Sequence, residues 1–378
     1  MTHTTLEGKE IVLAVTGSIA AVETVKLAHE LRRRGAGVQA VMSEAAARIV
    51  HPDALTYATG RPAITALSGL VEHVQWCGIG GKADLLLVAP CTANTIGKIA
   101  CGIDDTPVTT FATTALGSGK PVVAVPAMHE TMYHHRTVAE NLERLSTLGV
   151  TVLKPRIEEG RAKIAEMEVI VLESERAVNE KPLTGRRVLI TSGPCREPVD
   201  DVRVLTTRST GKMGRALALE AYRRGAEVTV VHADIFPCVR NVRCSSAREL
   251  HDAVLAIGER EGMDIYVSVA AISDFVPPRF QGKLPSGEPV TLTLDPLPKV
   301  IDDVIARYRP HAIAFKLASD ADAQARTLLE RGAALVVANT PETMGADGGM
   351  FALHSAKGIR MVEGSKEEVA AAIWSSVP

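Results

Sequence analysis

Residues 9–21 read KEIVLAVTGSIAA, a short apolar run followed by a turn around Gly17. A run this short, bounded by turn residues, reads as a strand, and its lack of polar alternation means both faces are covered. A helical stretch follows and closes with LRRRGAGVQAVMS (31–43), where the Gly after the arginines supplies a left-handed helix stop before the next strand. Strand, Gly turn, helix, Gly stop and strand make one βαβ unit. The chain then partly repeats it: RRVLITSGPCREP (186–198) leads to YRRGAEVTVVHAD (222–234). Five further apolar runs, ADLLLVAP, KPVVAVPA, MDIYVSVAA, HAIAFKLA and ALVVANT, fall in the two halves. The expected fold class is α/β, as two doubly wound parallel-sheet domains. The charged stretch ESERAVNEKPLTG (173–185) marks the boundary, giving domains at 1–180 and 181–378.

The 378 residues suit two such domains. Only 3% of them are aromatic, which argues against a stacking surface for single-stranded nucleic acid. A net charge of −2 argues against nucleic-acid or anionic-membrane partners. The pairs and triplets Arg32-Arg33-Arg34, Arg186-Arg187 and Arg223-Arg224 read as short solvated clusters, two of them closing helices where cations suit the dipole. The opening residues MTHTTLEGKE are polar and no apolar run reaches a membrane span. Six cysteines form no Cys-x-x-Cys pair, so free thiols in a reducing cytoplasm are expected.

Doubly wound sheets bind ligands at the carboxyl ends of their strands. The turns TGSIAA, APCTANTIG, PAMHETMY, TSGPCREP and AAISDF all fall there, and neither first turn carries the Gly-x-Gly-x-x-Gly dinucleotide pattern. RVLTTRSTGKMG (203–214) resembles a phosphate loop but fails its pattern, since position 206 is Thr and Met213 follows Lys212. A helix starting near Gly211 and Gly214 can still attract an anion through its free N–H groups.

Taken in order, these turns resemble the bifunctional family that joins a phosphopantothenoylcysteine decarboxylase to a phosphopantothenate–cysteine ligase. The likeness spans almost the whole chain. It rests on VTGSIAA, MSEAA, EHV, APCTANTIGKIACGIDD and PAMHETMY, then on TSGPCREPVDDVRV, STGKMG, AAISDF, GKL and ALVVAN, with PAMH and EEGRAK closest to the archaeal branch. The resemblance implies a flavodoxin-like flavoprotein domain followed by a Rossmann-like ligase domain. It further implies CTP, 4'-phosphopantothenate and cysteine as substrates, FMN and Mg²⁺ as cofactors, a cytoplasmic setting, and a homo-oligomer of decarboxylase trimers joined by ligase dimers, up to a dodecamer.

In the family, the ligase turns the pantothenate carboxylate into an acyl-cytidylate, and cysteine then displaces CMP. By resemblance, Ser268, Val269, Ala270, Asp274, Lys283, Pro298, Phe315 and Arg331 contact CTP, while Arg203 and Thr207 sit at the activation site. Thr207 stands where the family has Asn, a shorter arm with one hydroxyl, and Leu297 replaces another Asn before Pro298. Phe315 and Val269 also read as core residues.

The first half resembles FMN-dependent cysteine decarboxylases, in which oxidising the thiol supplies the electron sink that loss of CO₂ requires. Gly17, Ser18, Ile19 and Ala20 match the flavin loop, with Ser43 and the Thr92-Ala93-Asn94 turn beside it. His73 matches the active-site His; imidazole exchanges protons near neutral pH. Eleven positions separate His73 from Asp84, longer than the family spacing, so the helix there is expected to be extended or kinked. His129 replaces the Asn that grips the substrate carboxylate. With His134 and His135 it shows no helical pair suited to a metal. The family's flap Cys is missing from KPRIEEGRAKIAEME (154–168), where Gly160 and Arg161 stand as a remnant, so the final proton donor is unassigned. Two other readings stay open: a chain with one activity only, or a non-catalytic regulatory flavoprotein.

Overall fold

A computed structural model of the chain describes residues 4–317 and 321–378, in two compact units that part between Glu180 and Lys181. The first unit is built on five parallel strands: β1 (Glu10–Val15), β2 (Gly37–Met42), β3 (Leu85–Cys91), β4 (Val122–Pro126) and β5 (Thr151–Val152), in the order β2-β1-β3-β4-β5. Every residue of β3 and β4 is buried, as the unbroken apolar runs require of strands covered on both faces. The helices are α1 (Thr24–Arg33), α2 (Glu44–Ala47), α3 (Glu72–Cys77), α4 (Ala93–Cys101), α5 (Pro107–Gly117) and α6 (Met167–Val178), besides Pro52–Thr59, Glu130–Tyr133 and Arg136–Thr147. Two apolar clusters result, one centred on Leu13, Leu27 and Leu87 and the other on Leu86, Val88 and Phe111. Gly35 ends α1 at φ 98°, the stop anticipated from the sequence.

The main sheet of the second unit has eight strands: β6 (Arg187–Thr191), β7 (Glu227–His232), β8 (Arg240–Arg243), β9 (Ile265–Ser268), β10 (His311–Leu317), β11 (Leu335–Asn339), β12 (Gly348–Ser355) and β13 (Gly358–Ser365). Their order is β8-β7-β6-β9-β10-β11-β12-β13. The first six are parallel; β12 and β13 form an antiparallel hairpin added at the β11 edge, which no apolar run foretold. Ala318, the end of the HAIAFKLA run, lies outside the described residues. The helices are α7 (Lys212–Arg223), α8 (Ala247–Glu261), α9 (Val300–Tyr308) and α10 (Lys366–Trp374), besides Ala321–Glu330. α10 docks on α7 through buried Trp374, whose indole N–H donates to the Leu217 carbonyl at 3.0 Å.

Two sequence expectations change, and the boundary stretch, which holds the division between the units, is partly helical. Arg223 is not a solvated charge: it is 7% exposed and paired with Glu220 inside the unit. The boundary stretch 173–185 is helical as far as Val178. The extra residues after His73 neither extend nor kink its helix. α3 stops at Gly78, and the surplus forms the loop that returns to β3.

Candidate active sites

In the first unit the adjacent strands β1, β2 and β3 each end in a hydroxyl that caps the next helical turn. Ser18 accepts from the Ala20 N–H ahead of a 3₁₀ turn at Ile19–Glu23. Ser43 accepts from Ala46 N–H at the start of α2, and Thr92 from Thr95 N–H at the start of α4. The turns are tied together. The Ser43 N–H donates to the Val15 carbonyl, and Thr16 Oγ1 donates to the Pro90 carbonyl at 2.6 Å while accepting from Thr92 N–H at 3.1 Å. A Cβ on Gly17 would lie 2.5 Å from Ala45 Cβ, so only glycine lets these turns meet. Three helical N-termini with free N–H groups, gathered as a cradle at the carboxyl ends of adjacent strands, have the chemistry to suit a phosphate monoester. Gly17, Ser18, Ile19, Ala20, Ser43, Thr92, Ala93 and Asn94 all belong to the cradle. Thr16 and Ala45 complete it and were missed, since neither residue type marks a site by itself.

His73 lies in the first turn of α3, its ring edge-on to Phe111 of α5 with centroids 6.5 Å apart. Its Nδ1 is buried and has no protein partner, so an acceptor or donor remains to be met there. The described contacts tie His73 to Phe111, and none ties it to the three capping hydroxyls. His129 caps a helical turn at Glu130–Tyr133 through Nδ1, which accepts from Thr131 N–H and leaves Nε2 to face solvent. It pairs across strands with Arg161, in the small sheet formed by Met128–His129, Arg156–Glu158 and Arg161–Lys163. The shortened flap is therefore a hairpin turning at Glu159 and Gly160, both at positive φ. Cys77 and Cys91 are buried thiols pushed up to about 12 by desolvation, which makes both poor proton donors.

The second unit holds a cavity of about 560 Å³ at the carboxyl ends of its parallel strands, within the range of nucleotide-sized sites. Thr207, Ser268, Val269, Ala270, Asp274, Pro298, Phe315 and Arg331 line it. Phe315 and Val269 serve two purposes, packing on the core as well as facing the cavity. Asp274 pairs with Lys299, which lines the cavity as the residue before α9; Arg331 pairs with Asp302 at 3.0 Å. Asp302 Oδ1 is buried without a partner. Thr207 Oγ1 reaches the Ala271 carbonyl at 3.3 Å. A Cβ on Gly214 would lie 2.0 Å from Ser192 Oγ, so the first turn of α7 presses against the end of β6.

Two expected residues are not in the cavity lining. Arg203 is held by Asp200 at 2.5 Å and reaches the Leu284 carbonyl at 3.4 Å. Lys283 sits in a loop pinned from both sides: Leu284 N–H donates to Asp200 Oδ2 and Gly282 N–H to Asp201 Oδ2, each at 3.0 Å. Burial pushes the Asp200 carboxyl up. Hydrogen bonds from the Leu284, Val202 and Arg203 N–H groups and the Arg203 guanidinium outweigh that and hold it at about 2. Lys212, Lys299, Lys316, Lys366 and Arg331 instead supply the cations of the lining.

The two units together define a two-domain α/β protein, with a cradle of helical N-termini at one sheet and a nucleotide-sized, cation-lined cavity at the other. Comparison with known proteins narrows this. The family profile described as "Flavoprotein" matches residues 1–179, and that described as "DNA/pantothenate metabolism flavoprotein C-terminal domain" matches residues 183–378. A coenzyme A biosynthesis bifunctional protein of Thermococcus kodakarensis is 45% identical over 98% of this chain and 95% of its own. Those of Methanocaldococcus jannaschii and Vibrio vulnificus are 37% and 34% identical over 82% and 86% of this chain, and 76% and 85% of theirs. The chain belongs to the family of coenzyme A biosynthesis bifunctional proteins, and carries a decarboxylase and a ligase in its two halves.

Proposed function

We propose that the second unit joins cysteine to 4'-phosphopantothenate at the expense of CTP, and that the first converts the product to 4'-phosphopantetheine with FMN. The observation that carries the reading is the cavity gathering Thr207, Asp274, Pro298, Phe315 and Arg331, far apart in sequence, around one nucleotide-sized space.

In the ligase, Lys299 and Arg331 offset the charge of the triphosphate, and Phe315 gives an apolar wall. Thr207 donates its hydroxyl to the acyl phosphate as it forms. Lys283, held outside the cavity by Asp200 and Asp201, reaches the triphosphate when its loop closes. Mg²⁺ enters as the CTP complex, taking its oxygen ligands from the phosphates more than from the protein.

In the decarboxylase, the cradle of Ser18, Ser43 and Thr92 fits the FMN phosphate, and Gly17 admits the close approach. Bound FMN supplies the oxidation that makes loss of CO₂ feasible. His73 holds or moves the substrate proton at its unpartnered Nδ1. Nε2 of His129, beside Arg161, takes the substrate carboxylate. Leu70, Val74 and Ile79, 67%, 47% and 92% exposed around α3, support a subunit interface at His73 and hence a homo-oligomer. Among the described residues no helix is long and apolar enough to cross a membrane. Small soluble substrates and free thiols suit a cytoplasmic setting.

The purified chain should show a flavin absorbance band, and should release pyrophosphate only when CTP, Mg²⁺ and 4'-phosphopantothenate are all present. No flavin would leave a ligase alone; no release with CTP or ATP would refute the ligase.

A further inference from the structure

One end of the ligase cavity has a charge that the residues assigned above do not use. Lys366, the first residue of α10, lines the cavity and is 7% exposed. Among the described residues its ammonium makes one hydrogen bond, a long 3.4 Å contact with the Thr343 carbonyl. Lys212, the first residue of α7, lines the same cavity. Its ammonium lies 2.5 Å from Asp347 Oδ1, on a carboxylate whose side chain is 92% exposed, and 3.2 Å from the Gly345 carbonyl. Burial lowers the pKa of Lys366 and the nearby Lys212 charge lowers it further, against an opposing pull from the Asp347 and Glu367 carboxylates.

Two ammonium groups thus lie near Asp347, and the more buried of them has no carboxylate hydrogen-bonded to it. A buried ammonium without a hydrogen-bonded counter-ion is costly, and a neutral residue of similar shape would relieve that cost. The adjoining first turn of α7, entered through Gly211 at φ 71°, presents further free N–H groups. Charge, desolvation and donor supply all suit an incoming phosphate.

We propose that Lys366 is a substrate-binding residue: with Lys212 and the first turn of α7, it forms a subsite for the phosphate oxygens of a reactant in the ligase reaction. The proposal rests on the ligase reading above. When the anion enters, Lys212 exchanges the exposed Asp347 carboxylate for phosphate, and Lys366 gains a hydrogen-bonded counter-ion. The polyphosphate of the nucleotide and the phosphomonoester of 4'-phosphopantothenate share this chemistry.

The test uses the full chain as wild type, Lys366→Met and Lys366→Arg. Thermal melting is measured with inorganic tripolyphosphate, CTP or 4'-phosphopantothenate, beside CMP and pantothenate as controls, and KM is measured for both phosphate-bearing substrates. Without ligand, Lys366→Met should melt no lower than wild type, because a desolvated charge is removed. Tripolyphosphate should stabilise Lys366→Met less than wild type and Lys366→Arg. KM should rise about 10- to 100-fold for one substrate, the worth of a charge-assisted hydrogen bond. A rise for CTP assigns the subsite to the polyphosphate, and a rise for 4'-phosphopantothenate to its phosphomonoester. Unchanged anion binding and unchanged KM values in Lys366→Met would overturn the proposal, as would a lowered melting point in both variants with anion binding intact. A wild type that binds tripolyphosphate yet releases no pyrophosphate would remove the ligase reading while leaving the anion subsite standing.

Discussion

Gly17 and Ala45 come so close that a Cβ on the former would sit 2.5 Å from the Cβ of the latter. The contact joins the turn after β1 to the first turn of α2, and so sets the width of the phosphate cradle. Gly17→Ala must push the two turns apart, at an overpacking cost of about 1–3 kcal/mol. The expected result is a folded protein, with a lowered melting temperature, that purifies without flavin. Ala45→Gly in the same chain should restore part of the flavin absorbance.

Lys299 and Asp274 form an ion pair whose side chains are 50% and 60% exposed. A pair this open contributes about 0–1 kcal/mol to stability, so Lys299→Met should barely move the melting temperature. Facing a triphosphate, the same ammonium is worth far more. CTP affinity should fall about tenfold or more, as read by calorimetry with Mg²⁺-CTP.

Asp200 accepts from the loop that carries Lys283, and its carboxyl is held at about 2, below the usual carboxylate value. A depressed pKa stabilises the fold above the unfolded value near pH 4, and that stability is lost as pH falls towards 2. Asp200→Asn should therefore melt below wild type at pH 7, with the gap closing between about pH 4 and pH 2. At neutral pH the freed loop should also be cut faster by trypsin at Arg279 and Lys283.

Thr207 lines the cavity with one hydroxyl, already directed to the Ala271 carbonyl. Thr207→Asn adds a second donor on a longer arm. Pyrophosphate release should rise, by up to about tenfold for one added hydrogen bond, with KM for CTP little changed. A slower variant would show that Thr207 is already the better donor here.

The parallel strands could be read from sequence because burial on both faces leaves an unbroken apolar run, as in LLLVAPC of β3. The β12–β13 hairpin escaped because its outer strand carries Ile359 and Met361 on exposed positions, 55% and 57% accessible, among glycines and charges. Motif order pointed to the cavity residues, whose positions follow from strand ends. It pointed equally to Lys283 and Arg203, but their placement depends on Asp200, which bonds a loop more than eighty positions away. Lys366 had no local mark at all. A Lys opening a helix is ordinary until the fold buries it beside Lys212. Arg223 was misread for the same reason, since its burial comes from tertiary packing rather than from its neighbours in sequence.

The most direct test of the central claim supplies the full chain, as purified, with CTP, Mg²⁺, 4'-phosphopantothenate and cysteine, and follows the products by mass. Two units of complementary chemistry on one chain predict phosphopantothenoylcysteine, then 4'-phosphopantetheine with loss of CO₂, each dependent on CTP. A mixture in which neither product forms, from protein that retains its flavin and its fold, would contradict the account.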